Sequence, residues 1–182
     1  MSSPRGIIVF GANGSGKTTL GRELASILNF KHMDHEVYAF KESKIPYAKP
    51  RSYAECVELM LSDIKKCHGF VISAVTGDFG NEIVPLYKLG AYISAPLELR
   101  LQRFERREYK RHGERVLKGG DMYESRMEFR NFIASRSLAR IEQWAEALAC
   151  PVIRVDGTID WRFNALKIAE LYWKIAGDKN NG

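Results

Sequence analysis

Gly11-Ala12-Asn13-Gly14-Ser15-Gly16-Lys17-Thr18 has the residue types and spacing of a phosphate-gripping loop, G-x-x-x-x-G-K-[ST]. The chemistry accounts for the pattern. A triphosphate is a dense polyanion. Glycines let the backbone curl so that successive N–H groups point inward at phosphate oxygens, with no side chain in the way. A helix that follows such a loop adds its N-terminal partial positive charge. Lys17 reaches the β- and γ-phosphates, and the Thr18 hydroxyl suits Mg²⁺. Thr19, at the start of the helix, is counted with the nucleotide-binding residues.

Two carboxylates are candidates for work beside that loop. Asp34 ends a strand, where it can take a proton from an acceptor hydroxyl or hold a metal-bound water; it can equally cap the next helix. Asp78 lies in a loop after another strand, where it can bind Mg²⁺ through water or cap a helix. His35 and Glu36 read as solvated helix residues. Arg100, Arg103, Arg107 and Arg111 are spaced three, four and four, and so line one helix face. Four cations on one face need an anion, and a moving phosphoryl group is one. Arg103 and Arg107 are the foremost candidates, with Arg136 behind them; a solvated basic face is the plainer alternative.

The elements that must position these residues alternate. Residues 6–10 form an apolar, β-branched strand before the loop, and residues 19–28 a helix with Leu20, Leu24, Ile27 and Leu28 on one face. Residues 30–34 are a second strand and 35–40 a short helix. Residues 42–51 are loop-like, with Pro46 and Pro50. Ser52 and Glu55 make a capping box for a helix over 53–67 that buries Val57, Met60, Leu61 and Ile64. Strand 70–75, a loop over 76–80 and a weak helix over 81–89 follow, the last disturbed by Pro85. Strand 91–95 leads to Pro96 at the first turn of a helix that runs to about residue 109. Residues 110–122 are charged and glycine-rich, suited to mobility. A long helix over 123–148, strand 151–155, the turn Asp156-Gly157-Thr158 and a closing helix over 161–176 complete the chain. Strands alternating with helices imply a doubly wound α/β fold on a parallel sheet. Ligands in such sheets bind at the carboxyl ends of the strands, where the loop, Asp34, Ser73 to Asp78 and Asp156-Gly157 all fall.

At 182 residues the chain makes a single domain over 1–182. No apolar run approaches transmembrane length, and the first residues lack a secretory pattern. Cys56, Cys67 and Cys150 are an odd set without metal-ligand spacing. A cytoplasmic protein is expected, with no membrane partner and a frayed tail over 177–182. The net charge of +6 is local: residues 100–140 carry twelve Lys and Arg against six Asp and Glu, and the remainder is balanced.

With these residues placed, the chain resembles the adenylate kinase-like and shikimate kinase-like group, the small P-loop kinases of nucleotides and metabolites. The resemblance spans the whole chain in order of elements, and the phosphate loop is its specific motif. It implies a P-loop NTPase sheet of five parallel strands in order 2-3-1-4-5. It also implies a basic helical lid, here about residues 104–135, ATP with Mg²⁺ as donor, and an acceptor over the second and third strands. By that similarity Arg103 and Arg107 match the arginines at the lid base, Asp34 the acidic residue after the second strand, and the turn at Gly157 the segment that passes the adenine. The chain departs after the third strand. It has neither the Asp-Gly and Pro-Arg of adenylate kinases nor the glycine run of shikimate kinases. The expected activity is therefore phosphoryl transfer to a small molecule of open identity. Two rivals keep the loop: an ATPase or switch acting on a macromolecule, and a nucleic-acid-end kinase using the 100–140 surplus.

Overall fold

The computed structural model describes residues 5–41 and 49–177; the tail and most of the 42–51 loop lie outside the described residues. Five strands form one sheet: β1 Arg5–Phe10, β2 Lys31–Asp34, β3 Gly69–Ala74, β4 Tyr87–Ser94 and β5 Val152–Asp156. All neighbours pair in parallel, in order β2-β3-β1-β4-β5. This is the doubly wound order that the resemblance implies. Among the described residues there are seven α-helices, six between strands and the last after β5: α1 Lys17–Leu28, α2 His35–Ala39, α3 Tyr53–Ile64, α4 Leu97–His112, α5 Tyr123–Ser135, α6 Ala139–Ala147 and α7 Trp161–Gly177.

β1 explains why both faces are covered. Successive strand side chains point to opposite faces, and all of residues 7–10 are fully buried. Ile8 and Phe10 join Met33, Met60, Ile72, Tyr92 and Ile141 on one side. Ile7 and Val9 join Leu20, Leu24, Val71, Leu89 and Ile168 on the other. Phe10 anchors the first cluster, stacked on Tyr92 at 5.1 Å and edge-on to Trp144 at 4.7 Å. The chain reverses direction across the sheet at β1, so a crevice opens at its carboxyl end.

Local signals set several boundaries. Asn29 ends α1 in the left-handed conformation, and its N–H caps the helix carbonyls. Ser52 and Glu55 form the expected capping box on α3. Pro96 is the N-cap of α4 rather than a residue of its first turn.

Four expectations are corrected. Residues 81–89 do not form a helix: Pro85 confines helical structure to a single 3-10 turn, Val84–Leu86. β4 begins at Tyr87 because pairing with β1 buries Leu89 completely. α3 stops at Ile64 and buries Cys56, Met60 and Ile64, leaving Val57 and Leu61 half-buried. α4 runs past residue 109 to His112, and a 3-10 turn, Gly113–Val116, follows it and buries Val116. Arg115 then clasps Asp121 with two hydrogen bonds of 3.0 and 2.7 Å. The long helix over 123–148 is two helices. At Arg136 the backbone turns extended (ψ 122), and the Ser137 hydroxyl accepts the Ala139 N–H at 3.2 Å.

Candidate functional site

A cavity of about 490 Å³ lies at the carboxyl ends of the strands, lined by residues 13–19 and by Asp34, Glu36, Ser73, Arg103, Arg107, Gly157 and Trp161, among others. The phosphate loop forms its floor. Gly16 takes φ +108 as the N-cap of α1, a conformation that side chains resist. At Gly14 (φ +80) a Cβ would stand 2.5 Å from the Arg100 carbonyl, so α4 can lie against the loop backbone only because there is none. Lys17 Nζ donates to Ala12 O at 2.9 Å, which folds the side chain over its own loop.

Burial lowers the Lys17 pKa to about 8; Glu36 and Asp34 oppose that shift, and Arg107 and Arg136 add to it. Cations and carboxylates thus surround one ammonium. The loop also carries an orphan: Ser15 Oγ is buried without a hydrogen bond.

Two arginines of α4 hold this floor in place. Arg100 is buried, donating from Nε to Ala95 O at 3.2 Å and from Nη1 to Asn13 O at 3.5 Å. It is therefore a brace for the loop, not part of an exposed cationic stripe. Arg103 donates to Ser15 O at 3.0 Å and to Gly157 O at 2.8 Å, joining the loop to the β5–α7 turn. That turn is close-packed: a Cβ on Gly157 would lie 2.8 Å from both Ser15 O and Ser94 O. Asn164 fixes it from α7 by donating to Asp156 O at 2.8 Å.

Arg107 and Arg111 face the cavity one and two turns further on. Glu108 lies between them, 3.5 Å from Arg107, 3.9 Å from Arg111 and 3.9 Å from His112. It is buried, and it balances these cations. Arg107 Nε is nevertheless buried without a hydrogen bond. Arg136 arrives from the α5–α6 break. Its guanidinium sits over the Phe132 ring at 5.3 Å and donates to Asn13 Oδ1 at 3.4 Å.

The opposite wall is β2, α2 and the end of β3. Asp34 caps α2 by accepting the Glu36 N–H at 3.2 Å, and it also lines the cavity. Both alternatives weighed for it are thus geometrically open at once. Behind it, Ser73 donates to the Lys17 carbonyl at 3.1 Å and lies 3.0 Å from His32 Nε2. With its proton so used, the hydroxyl accepts from the imidazole, which places a hydrogen on Nε2. Burial lowers the pKa of both His32 and His35.

Asp78 is exposed and outside the cavity lining, and its carbonyl accepts from Tyr53 at 3.4 Å. The loop after β3 carries it past the rim, so its assignment as a Mg²⁺ ligand is withdrawn. Glu36 is the reverse case. Taken from sequence as a solvated helix residue, it lines the cavity and is the strongest carboxylate influence on Lys17. The Asp34-x-Glu36 spacing at a strand end was the signal. Trp161 also lines the cavity.

Among the described residues no helix is long and apolar enough to cross a membrane, and no group of three or more His, Cys, Asp and Glu could hold a metal ion. A family model described as an AAA domain matches residues 7–128, well over half of the chain. The uncharacterized protein YqaC of Bacillus subtilis (strain 168) is 28% identical over 160 residues, covering 84% of this chain and 88% of that protein. Among solved structures, shikimate kinase from Acinetobacter baumannii in complex with shikimate superposes with TM-score 0.56 at 19% identity, covering 94% of each chain. A gluconokinase from Sinorhizobium meliloti 1021 superposes with TM-score 0.53 at 13% identity, covering 96% of this chain and 99% of that one. The chain belongs to the AAA domain family, and its five-stranded architecture is that of the small P-loop kinases.

Proposed function

We propose that the chain is an ATP- and Mg²⁺-dependent phosphotransferase that moves the γ-phosphoryl group to a hydroxyl of a small molecule. The observation that carries this is convergence: phosphate loop, α4 arginines and the Asp34–Glu36 pair all line one cavity around Lys17. The residues fit the donor. Lys17 rests on a loop carbonyl that a phosphate oxygen can replace, and Ser15 Oγ is a buried polar atom without a hydrogen bond. The turn at Gly157, with Trp161 and Asn164, forms the cavity wall that takes the nucleoside.

Thr18 and Asp34 would hold the Mg²⁺, which neutralises phosphate charge. Mg²⁺ is ordinarily held by one or two side chains together with substrate phosphates and water, and two such side chains would suffice here. In the transfer, the acceptor oxygen bonds to the γ-phosphorus as the bond to the β–γ bridging oxygen breaks. ADP leaves with that electron pair, and Asp34 takes the hydroxyl proton. Lys17 and Arg107 stabilise charge spread over the moving group, while Arg103 keeps loop and turn in register. The α4–α5 hairpin, roughly residues 104–135, acts as the lid that excludes water. Phe104 against Phe129 at 5.5 Å and Arg130 to Glu105 at 2.7 Å make it one unit.

The test is γ-phosphate transfer from labelled ATP across nucleosides, nucleotides, sugars and hydroxy acids. Acceptor-dependent transfer is expected. ATP binding without any acceptor-dependent transfer would count against the proposal. A second reading, an ATPase acting on a macromolecular partner, draws on the AAA domain match. It predicts slow hydrolysis that a macromolecule, not a small molecule, accelerates.

A further inference from the structure

The cavity leaves the phosphate loop in two directions. One leads to β2 and α2, where Asp34 and Glu36 stand; the other leads to the β5–α7 turn, with Gly157, Ile159, Trp161 and Asn164. The sheet has two strands on each side of β1, so these ends lie on opposite sides of the loop. A donor whose γ-phosphate meets an acceptor beside Asp34 must carry its nucleoside toward the turn. Little at that end can read a base edge. Asn164 is buried and spends its side-chain amide on Asp156 O at 2.8 Å. Arg103 is spent on Ser15 O and Gly157 O. The Gly157 N–H goes to Ser94 O at 2.6 Å, and the Thr158 N–H to Asp156 Oδ1 at 2.8 Å. The lining side chains that remain at this end are Ile159 and the Trp161 indole, both exposed. Trp161 is braced as a platform. It opens α7, and the Arg162 guanidinium lies over its ring at 4.5 Å. Asp160 steadies Arg162, its Oδ2 standing 3.5 Å from Nη1 and its Oδ1 accepting the main-chain N–H at 2.7 Å. Trp161 lines the cavity and Arg162 does not, so the guanidinium backs the ring from outside.

We infer that the site holds its donor by stacking the nucleobase on Trp161 and reads no pattern on the base edge, so that ATP and GTP serve alike. The inference rests on the phosphotransferase reading above and names its donor class: purine nucleoside triphosphates. Every base has a π-face, so stacking rewards ring size rather than a donor and acceptor pattern. Adenine and guanine share one fused ring and differ only in their edge groups. A site built to hydrogen-bond one edge rejects the other strongly, because its own polar groups are then left unpaired. The side chains at this end set no such penalty. The indole N–H is one further donor, and N7 is an acceptor in both purines. A pyrimidine offers a single ring and less overlap with the indole.

Calorimetric binding tests the inference without turnover. The probes are the β,γ-imido analogues of ATP, GTP and CTP, and inorganic tripolyphosphate, each with Mg²⁺. The two purine analogues are expected to bind within about threefold of each other, and the CTP analogue more weakly. Trp161→Ala, with the melting temperature used to confirm folding, is expected to weaken both purine analogues by about fivefold to a hundredfold and to leave tripolyphosphate unchanged. Trp161→Phe, which keeps a ring, should recover most of that loss. A wild-type preference of about tenfold or more for one purine overturns the inference and leaves the phosphotransferase reading standing. Unchanged purine affinity in Trp161→Ala, or an equal loss for tripolyphosphate, overturns the role of Trp161 as a platform. Purine analogues that bind no better than tripolyphosphate overturn it too. The wild-type comparison of ATP and GTP analogues needs no variant, so the inference stays testable if Trp161→Ala does not fold. Failure of every probe to bind, tripolyphosphate included, would instead bring down the wider reading.

Discussion

On the proposed reading, main-chain atoms are the working parts at the donor end of the cavity, and side chains are at the acceptor end. The donor floor is a glycine-rich loop whose Asn13 and Ser15 carbonyls are held by Arg100 and Arg103, and Arg103 ties it to the carbonyl of Gly157 in the β5–α7 turn. The acceptor wall is Asp34, His35 and Glu36, carried by a four-residue edge strand and a five-residue helix. A polyphosphate offers the same oxygens whatever the enzyme, and a fixed cradle of N–H groups suits it. An acceptor differs from protein to protein, and side chains on short edge elements can change without disturbing the sheet. The comparison predicts that changes at the donor end alter all activity and often stability, whereas changes at the acceptor end alter choice.

The largest expected effect is at Lys17. Lys17→Ala removes the ammonium that the whole cavity surrounds. Transfer is expected to fall by about a hundred- to a thousandfold or more, judged from the loss of one preorganised donor at a charged transition state. ATP-analogue binding should weaken with it. A variant that transfers at near wild-type rate would show that the loop amides alone suffice, and the comparison would lose its donor half.

Arg100→Ala comes next and tests the brace. It deletes a buried guanidinium and strands the Ala95 and Asn13 carbonyls, at a cost of roughly 1–3 kcal/mol. The melting temperature should drop and transfer fall together, because the loop loses its support from α4. If transfer fell at unchanged stability, Arg100 would belong with the residues that meet phosphate, as its place in the sequence stripe implied.

A third test uses pH. Burial holds Lys17 at a pKa of about 8 against an ordinary 10.5. A bound polyphosphate favours the charged form and raises that pKa. Affinity for an ATP analogue should therefore hold below pH 8 and weaken above it, by at most tenfold per unit, as the free protein loses the proton. The same depression makes the unfolded chain bind more protons between about 8 and 10.5, so in this window the residue's contribution to stability rises with pH. Calorimetric proton uptake on binding near pH 8.5 measures the shift directly. Affinity independent of pH from 7 to 9.5 would show that the ammonium is not the group being titrated.

The same division decides what the sequence disclosed. The donor floor is a local motif: strand, loop and helix lie within residues 5–28, and spacing alone specifies the backbone. The capping box at Ser52 and Glu55 was legible for the same reason. The place of Glu36 in the cavity was not, because Lys17 lies a helix and a strand earlier in the chain. Arg100 shared the periodicity of Arg103 and Arg107, and periodicity places a residue on a helix face without saying that the face meets a carbonyl rather than a phosphate. The break at Arg136 was hidden in a pattern that continues as helix on both sides. It is held by contacts to Asn13 and Phe132 that no local signal announces.

Asp78 should show the smallest effect, and it draws the boundary of the acceptor wall. The sequence placed it just past a strand end, as it did Asp34. Yet β3 ends at Ala74, and three further residues carry the chain over the rim before Asp78 is reached. Its carbonyl accepts a hydrogen bond from the Tyr53 hydroxyl at 3.4 Å. Asp78→Asn keeps that carbonyl and removes only an exposed charge. Transfer should stay within about twofold and stability within about 0.5 kcal/mol, as for surface changes away from special features. Asp34→Asn, measured beside it, should lose far more, because it removes a proton acceptor inside the cavity. Comparable losses in the two variants would mean that the acceptor wall extends from β2 across the loop after β3, and that the working side chains at this end reach further than the cavity lining does.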